Sequence, residues 1–441
     1  MSQDIRPADI RSVAVIGGGT MGSGIAAACA AAGRDVLLLE ASDALADKAK
    51  VRVDALAAND AERSLFRDKI AVGTMERDLP RLSACDWICE AVIETLEAKR
   101  AVLSAIEPVR RDGSIVSTNT SGIPLRAIVE DAPARLKRDM LVTHFFNPVR
   151  VMRLLEIVTG PDTRPDACET LSAFLRGKLG KGLVTAKDTP NFIGNRIGLY
   201  FILSGLHAGA GHRAAGVDIA RIDALLGAPV GFPGTALYGL VDLIGLDVID
   251  SIARNLAATL PEGDPGRAVA SLPAAERRMA ERGQHGRKSG GGFYRMQKAA
   301  DGSKLKEIFD PEAETWNAAR KVALGPDSAD LATLFFADTP DGALLRDVLG
   351  GTLVYAADLV PDISDDIVNV DRAMRWGFAW GKGPFELIDS IGPARLIARL
   401  RQEGRPVPHM LAVLEKAGAK SFYDAQGYLG IDGRVRPLPP E

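Results

Sequence analysis

The 441-residue chain has little of what metal, disulfide or membrane chemistry needs. It has four cysteines, Cys29, Cys85, Cys89 and Cys168, with no Cys-x-x-Cys pair and no histidine at metal-ligand spacing. No metal site and no disulfide framework is therefore expected, and Cys85 and Cys89, in or beside an apolar run, read as reduced core thiols. No apolar stretch reaches the roughly 18 residues of a membrane span, and the opening "MSQDIRPADIRS" has no apolar leader core. A net charge of −3 offers no basic surface to nucleic acid or anionic lipid. The expected location is the cytoplasm, with no nucleic-acid or membrane partner.

What is present is an ordinary globular composition, 46% hydrophobic and 25% charged, in a chain too long for one core. "SVAVI" (12–16), "DVLLL" (35–39), "DWICEAVI" (86–93) and "SIVSTN" (114–119) read as buried strands. "TMGSGIAAACAAAG" (20–33) and "TLEAKRAVLSAIEPV" (95–109) read as helices between them, and "LVTHFF", "RLLEIV" and "GLVTA" continue or flank the sheet. The alternation predicts an α/β Rossmann-type doubly wound sheet over 1–190.

From 191 the strands are expected to stop and helical periodicity to take over. "LYGLVDLIGL" (237–246) and "PFELIDSIGP" (384–393) align, with Asp242 over Asp389 and Gly245 over Gly392. Upstream, Ile219/Asp223 and Ile367/Asp371 share one spacing. The pattern predicts two copies of a small helical domain, at 191–295 and 336–425. Residues 296–335 are polar and non-periodic and read as a linker; 426–441 read as a tail.

"VAVIGGGTMGSG" places Gly17-x-Gly19-x-x-Gly22 between a strand and a helix, and Glu40 closes the next strand. Gly17 allows the tight turn, Gly19 lets backbone approach a pyrophosphate, and Gly22 permits close helix–strand packing. The helix that opens at Thr20 and Met21 offers free N–H groups and partial positive charge to phosphates. Glu40 would accept from the adenosine ribose hydroxyls and repel a 2′-phosphate, so the pattern favours NAD over NADP.

"LVTHFFNPVRVMRLLEIV" (141–158) places His144 between Thr143 and a Phe-Phe pair, with Glu156 as a lone acid in an apolar run. An unpaired buried charge costs several kcal/mol, so a core alone does not account for these choices. An imidazole titrates near neutral pH and can hold a hydroxyl proton, and a carboxylate behind it fixes its tautomer. That pairing suits oxidation of a secondary alcohol.

Five motifs, "VIGGGTMGSGIA", "EAVIETLEAKR", "STNTSGIPL", "HFFNPVRVMRLLEIV" and "KDTPNFIGNR", stand in the order and approximate spacing of L-3-hydroxyacyl-CoA dehydrogenases, and the chain resembles that family. The resemblance implies His144 as catalytic base with Glu156 as its partner. It implies that Ser121 and Asn195 contact the substrate oxygen, and that Glu94, Lys99 and Asn147 contact the cofactor. Ser121 could also serve as a loop or cap residue, Asn195 as a helix cap, and Lys99 as a solvated helix lysine. Gly18 stands where the family commonly has Ala, a change expected to be harmless; Gly122 stands where Ser is common.

The doubled helical region resembles the dehydrogenase half of fused enzymes that also hydrate enoyl-CoA. The partners implied are an acyl-CoA substrate and an enoyl-CoA hydratase half or partner, with a monomer or a homodimer as the assembly. Oxidation of a free hydroxy acid, or a catalytically silent dinucleotide-binding module, remain alternatives on the same scaffold.

Overall fold

The computed structural model describes residues 10–298 and 302–441, and the chain divides into two compact units between Ile193 and Gly194. The first unit is built on β1 (Ser12–Ile16), β2 (Asp35–Glu40), β3 (Ile70–Thr74), β4 (Trp87–Glu90), β5 (Ile115–Thr118), β6 (Met140–Phe145), β7 (Leu154–Thr159) and β8 (Gly182–Thr185). They form one sheet in the order β3-β2-β1-β4-β5-β6-β7-β8. The first six strands run parallel; β7 pairs antiparallel with β6, and β8 runs parallel to β7.

Central strands such as β1 and β4 are apolar on both faces because helices cover both, as parallel sheets require. The helices that matter for the site are α1 (Thr20–Ala31), α2 (Asp43–Ala55) and α3 (Leu96–Ile106). α1 is rich in Ala and Gly, which lets it lie close to the sheet; Ile25, Ala26, Cys29 and Ala30 are buried in the core with Val13, Val15 and Trp87. β3, "IAVGT", was not among the expected strands. Its Ala and Gly give a weak strand pattern, and its pairing with β2 places it at the sheet edge.

The second unit is largely helical, but strands do not stop at 191. Part of the segment expected as a linker, 296–335, belongs to a three-stranded antiparallel sheet of Tyr294–Lys298, Lys304–Asp310 and Thr315–Ala318. The expected tail likewise contributes Gly427–Leu429 and Val435–Arg436 to a second small sheet. These strands carry many exposed charges, so no hydrophobic alternation marks them.

Two pairs of aspartates in the second unit, one of each pair buried, accept in matching patterns. Asp223 accepts from the N–H groups of Leu237, Tyr238 and Gly239 and from the Tyr294 hydroxyl at 2.8 Å. Asp242 accepts from the N–H groups of Phe293 and Tyr294. Asp371 accepts from Phe385 N–H, Glu386 N–H and the Tyr423 hydroxyl at 2.7 Å, and Asp389 from Phe422 N–H and Tyr423 N–H. Gly245 and Gly392 follow the same helix in each half, with φ of 103° and 96°.

Candidate active site

The glycine turn joins β1 to α1. Gly17 has φ of 100°, and a Cβ there would lie 2.7 Å from the Ala91 carbonyl oxygen. A Cβ on Gly22 would fall 1.7 Å from the carbonyl oxygen of Gly17, so both positions exclude any side chain. At Gly19 the direction of a Cβ is open space. α1 has no side-chain cap and no acid in its first turn, whereas α2 and α3 are capped by Ser42 and Thr95. An uncapped N-terminus beside an open backbone is what a diphosphate needs. Thr20 is exposed at the start of α1, while Met21 packs partly on the core.

Glu40 ends β2 and turns its carboxylate toward this loop, accepting from Gly18 N–H at 2.7 Å and Ala41 N–H at 3.2 Å. A Cβ on Gly18 would meet the Ala49 methyl at 2.5 Å, so in this chain the glycine is matched to α2.

β6 and β7 build the second part of the site. Their antiparallel register places His144 directly opposite Glu156, and Nδ1 lies 2.6 Å from Oε2. A carboxylate only accepts, so Nδ1 is the donor of this pair, and in the neutral imidazole Nε2 keeps its lone pair. His144 is 4% exposed and Glu156 is fully buried. The second carboxylate oxygen accepts from Ile193 N–H at 3.0 Å, which fixes it from the other side. The imidazole packs against Phe146 and Phe192, with ring centres 4.4 and 5.8 Å away.

Just beyond, Asn119 Oδ1 accepts from Phe145 N–H, tying the end of β5 to β6. Asn147 is exposed in the following turn. Lys181 donates to the carbonyls of Val149 and Met152 and so holds that turn against β8; sequence reading did not single it out.

A third cluster sits at the ends of β4 and β5. Lys99 is 1% exposed and its ammonium bridges Glu90, at 3.0 and 3.1 Å, and Glu94, at 3.1 Å. It is thus a buried ion-pair lysine, not a solvated one. Glu94 Oε1 accepts from the Thr120 hydroxyl and from Ser121 and Gly122 N–H, at 2.6 to 3.1 Å. Burial pushes the Glu94 carboxyl up, but the Lys99 charge and these donors outweigh it and hold it below its ordinary value. Ser121 is half-buried on this turn, directly after β5.

Glu90 was missed as a site residue. Fully buried, it accepts from Val92 N–H at 2.7 Å and from the Thr118 hydroxyl at 2.5 Å as well as from Lys99. The signal that marks Glu156, a single acid in an apolar run, also marks Glu90 in "DWICEAVI". Asn195 is the second residue of Gly194–Ala214, half-buried, and belongs to the second unit.

A parallel sheet with a glycine turn, an uncapped helix start and an acid ending β2 defines the first unit as a dinucleotide-binding domain of the dehydrogenase type. The family description "3-hydroxyacyl-CoA dehydrogenase, NAD binding domain" matches residues 12–189, and "3-hydroxyacyl-CoA dehydrogenase, C-terminal domain" matches 192–296. The chain belongs to the 3-hydroxyacyl-CoA dehydrogenase family. A probable 3-hydroxyacyl-CoA dehydrogenase of Bacillus subtilis is 36% identical over 94% of this chain and 55% of its own length. One of Deinococcus radiodurans is 36% identical over 66% of this chain and 84% of its own length. Among solved structures, 3-hydroxybutyryl-CoA dehydrogenase from Escherichia coli is 25% identical with a TM-score of 0.68, covering 91% of this chain and 98% of that one. The chain spans about half the length of the Bacillus relative.

Proposed function

We propose that the chain catalyses NAD-dependent oxidation of an (S)-3-hydroxyacyl-CoA to the 3-oxoacyl-CoA, with His144 as general base. The observation that carries this reading is the 2.6 Å bond between Nδ1 and Glu156, at the end of the parallel strands that also bears the glycine turn. With Nδ1 committed to the carboxylate, Nε2 receives the substrate hydroxyl proton. Glu156 then stabilises the imidazolium that forms, and the base contributes about 10²–10⁴ in rate. When bound, NAD supplies the acceptor for the hydride leaving C3. Ser121 and Asn195 are read as donors to the substrate oxygen as its charge develops. Gly17, Gly19, Thr20, Met21, Gly22, Glu40, Glu94, Lys99 and Asn147 are read as the cofactor-contacting set.

The substrate class is the product of adding water across a 2-enoyl thioester, so a hydratase, fused or separate, is the partner activity this reading implies. The four cysteines are free thiols, which supports a reducing compartment such as the cytoplasm. We read the second unit as two copies of one helical domain. Phe201 and Phe232 of the first copy pack on Trp380 of the second, at 5.5 and 4.0 Å between ring centres. That internal pairing favours a monomer over a homodimer.

The test is turnover of NADH with acetoacetyl-CoA against free acetoacetate. Acetoacetyl-CoA is expected to be used and acetoacetate not. His144→Gln is expected to lose about 10³-fold in kcat, within the range for a positioned base, with NADH binding retained. Near-normal turnover by that variant would overturn the assignment of His144, and preference for acetoacetate would overturn the substrate class.

A further inference from the structure

The Glu90–Lys99–Glu94 cluster holds more negative charge than its own lysine neutralises. Glu94 and Lys99 alone would make a neutral pair at the turn that carries Ser121. Glu90 adds a second carboxylate, fully buried, and Lys99 is the cation paired with both, among the described residues. A buried carboxylate without its own counter-charge is expensive, and two carboxylates sharing one ammonium leave the cluster with a formal charge of −1. Both Glu90 oxygens accept, Oε1 from Val92 N–H and Lys99, Oε2 from the Thr118 hydroxyl and Lys99, so the pocket is built around a carboxylate.

The position of the cluster indicates what the charge faces. Glu90 is level with Ile16, the residue before the glycine turn, and with Thr118 at the end of β5. The sheet order reverses between β1 and β4, the switch point where open α/β sheets bind ligands. Glu40 on β2 takes the adenosine side of that point, which leaves the β4–β5 side for the other half of the dinucleotide. The nicotinamide ring carries a positive charge only in its oxidised form.

We propose that Glu90 is a specificity-determining residue for the redox state of the cofactor: its buried carboxylate favours the cationic nicotinamide of NAD⁺ over the neutral ring of NADH. This rests on the dinucleotide site proposed above. It also gives the site two buried carboxylates with separate duties. Glu90 lies on the side that is cationic before reaction, and Glu156 lies beside the imidazole that is cationic afterwards.

The experiment is equilibrium titration of the full chain with NAD⁺ and with NADH, separately, without acyl-CoA. Glu90→Gln removes one charge at nearly constant shape. It is expected to raise the ratio of the NAD⁺ to the NADH dissociation constant by about tenfold, the scale of one unit charge acting through protein. Glu90→Asp, which keeps the charge, is expected to stay within about twofold of the parent ratio. Equal weakening of both forms, or no change in either, would overturn the proposal and leave Glu90 a structural residue. If Glu90→Gln does not fold, Glu90→Met, which removes the charge without setting a donor against Val92, Thr118 and Lys99, is titrated instead, and an unshifted ratio there overturns the proposal equally. Failure of the parent chain to bind either form would instead refute the dinucleotide site.

Discussion

Two sets of acids, one in each unit, are held in contrasting ways. In the first, Glu156, Glu90 and Glu94 face side chains that can carry or release a proton, His144 and Lys99. In the second, Asp223, Asp242, Asp371 and Asp389 face backbone N–H groups and two tyrosine hydroxyls. A carboxylate against an imidazole is poised for charge movement. A carboxylate against fixed amides ties one segment of backbone to another. The partner, more than the burial, separates chemistry from architecture.

That contrast breaks most visibly at Glu156. Glu156→Gln is expected to lower kcat by about 10²-fold or more while thermal stability moves little, because the amide still fills the space but cannot stabilise an imidazolium. Steady-state kinetics beside a melting curve checks this. A large loss of Tm with kcat per folded molecule retained would place Glu156 with the architectural acids.

The opposite result is expected for Asp389→Ala. It strips the acceptor from Phe422 and Tyr423 N–H and should cost about 2–4 kcal/mol of stability, on the scale of one to two orphaned buried donors. A shift in the urea midpoint, followed by tryptophan fluorescence, measures it. Three of the four tryptophans, Trp316, Trp376 and Trp380, lie in the second unit. A midpoint within error of the parent would show that the aspartate does not brace the loop.

The smallest effect is a pH dependence. Burial pushes Asp223, Asp242 and Asp389 each up to about 6, against the backbone and tyrosine donors that hold them down. Folded values above the unfolded 3.8 mean that the native state holds more protons between pH 4 and 6. Their stabilisation is complete below the unfolded value and is lost as pH rises through 6. The second unit should therefore be more stable at pH 5 than at pH 7, by about 1 kcal/mol per aspartate. Urea midpoints at the two pH values test the sign, and greater stability at pH 7 would contradict it.

Much of the candidate site was legible because each of its residues departs from its surroundings. Gly17 and Gly22 interrupt a strand–helix junction, and His144 and Glu156 interrupt apolar strands. Glu90 opens the same motif as Glu94, and nothing in the sequence shows that its side chain meets Lys99. The alignment of Asp242 with Asp389 was visible, but the backbone amides they bind lie 33 to 52 residues downstream and leave no mark in composition. The strands at Tyr294–Lys298, Lys304–Asp310 and Thr315–Ala318 were hidden for another reason. They are stitched by backbone pairing and by cations over aromatic rings, Arg295 on Trp316 and Lys306 on Tyr294, which reads in sequence as a polar stretch.

The reversal of direction at β7 has a further consequence. His144 and Glu156 meet because two neighbouring strands run opposite ways and are aligned residue for residue. Slipping β7 by a single position would turn the glutamate to the other face of the sheet. Residues 146–153, which join the two strands, are therefore free to gain or lose length in evolution only if the pairing beyond them is untouched, and the connection acts as a ruler that sets which residues meet.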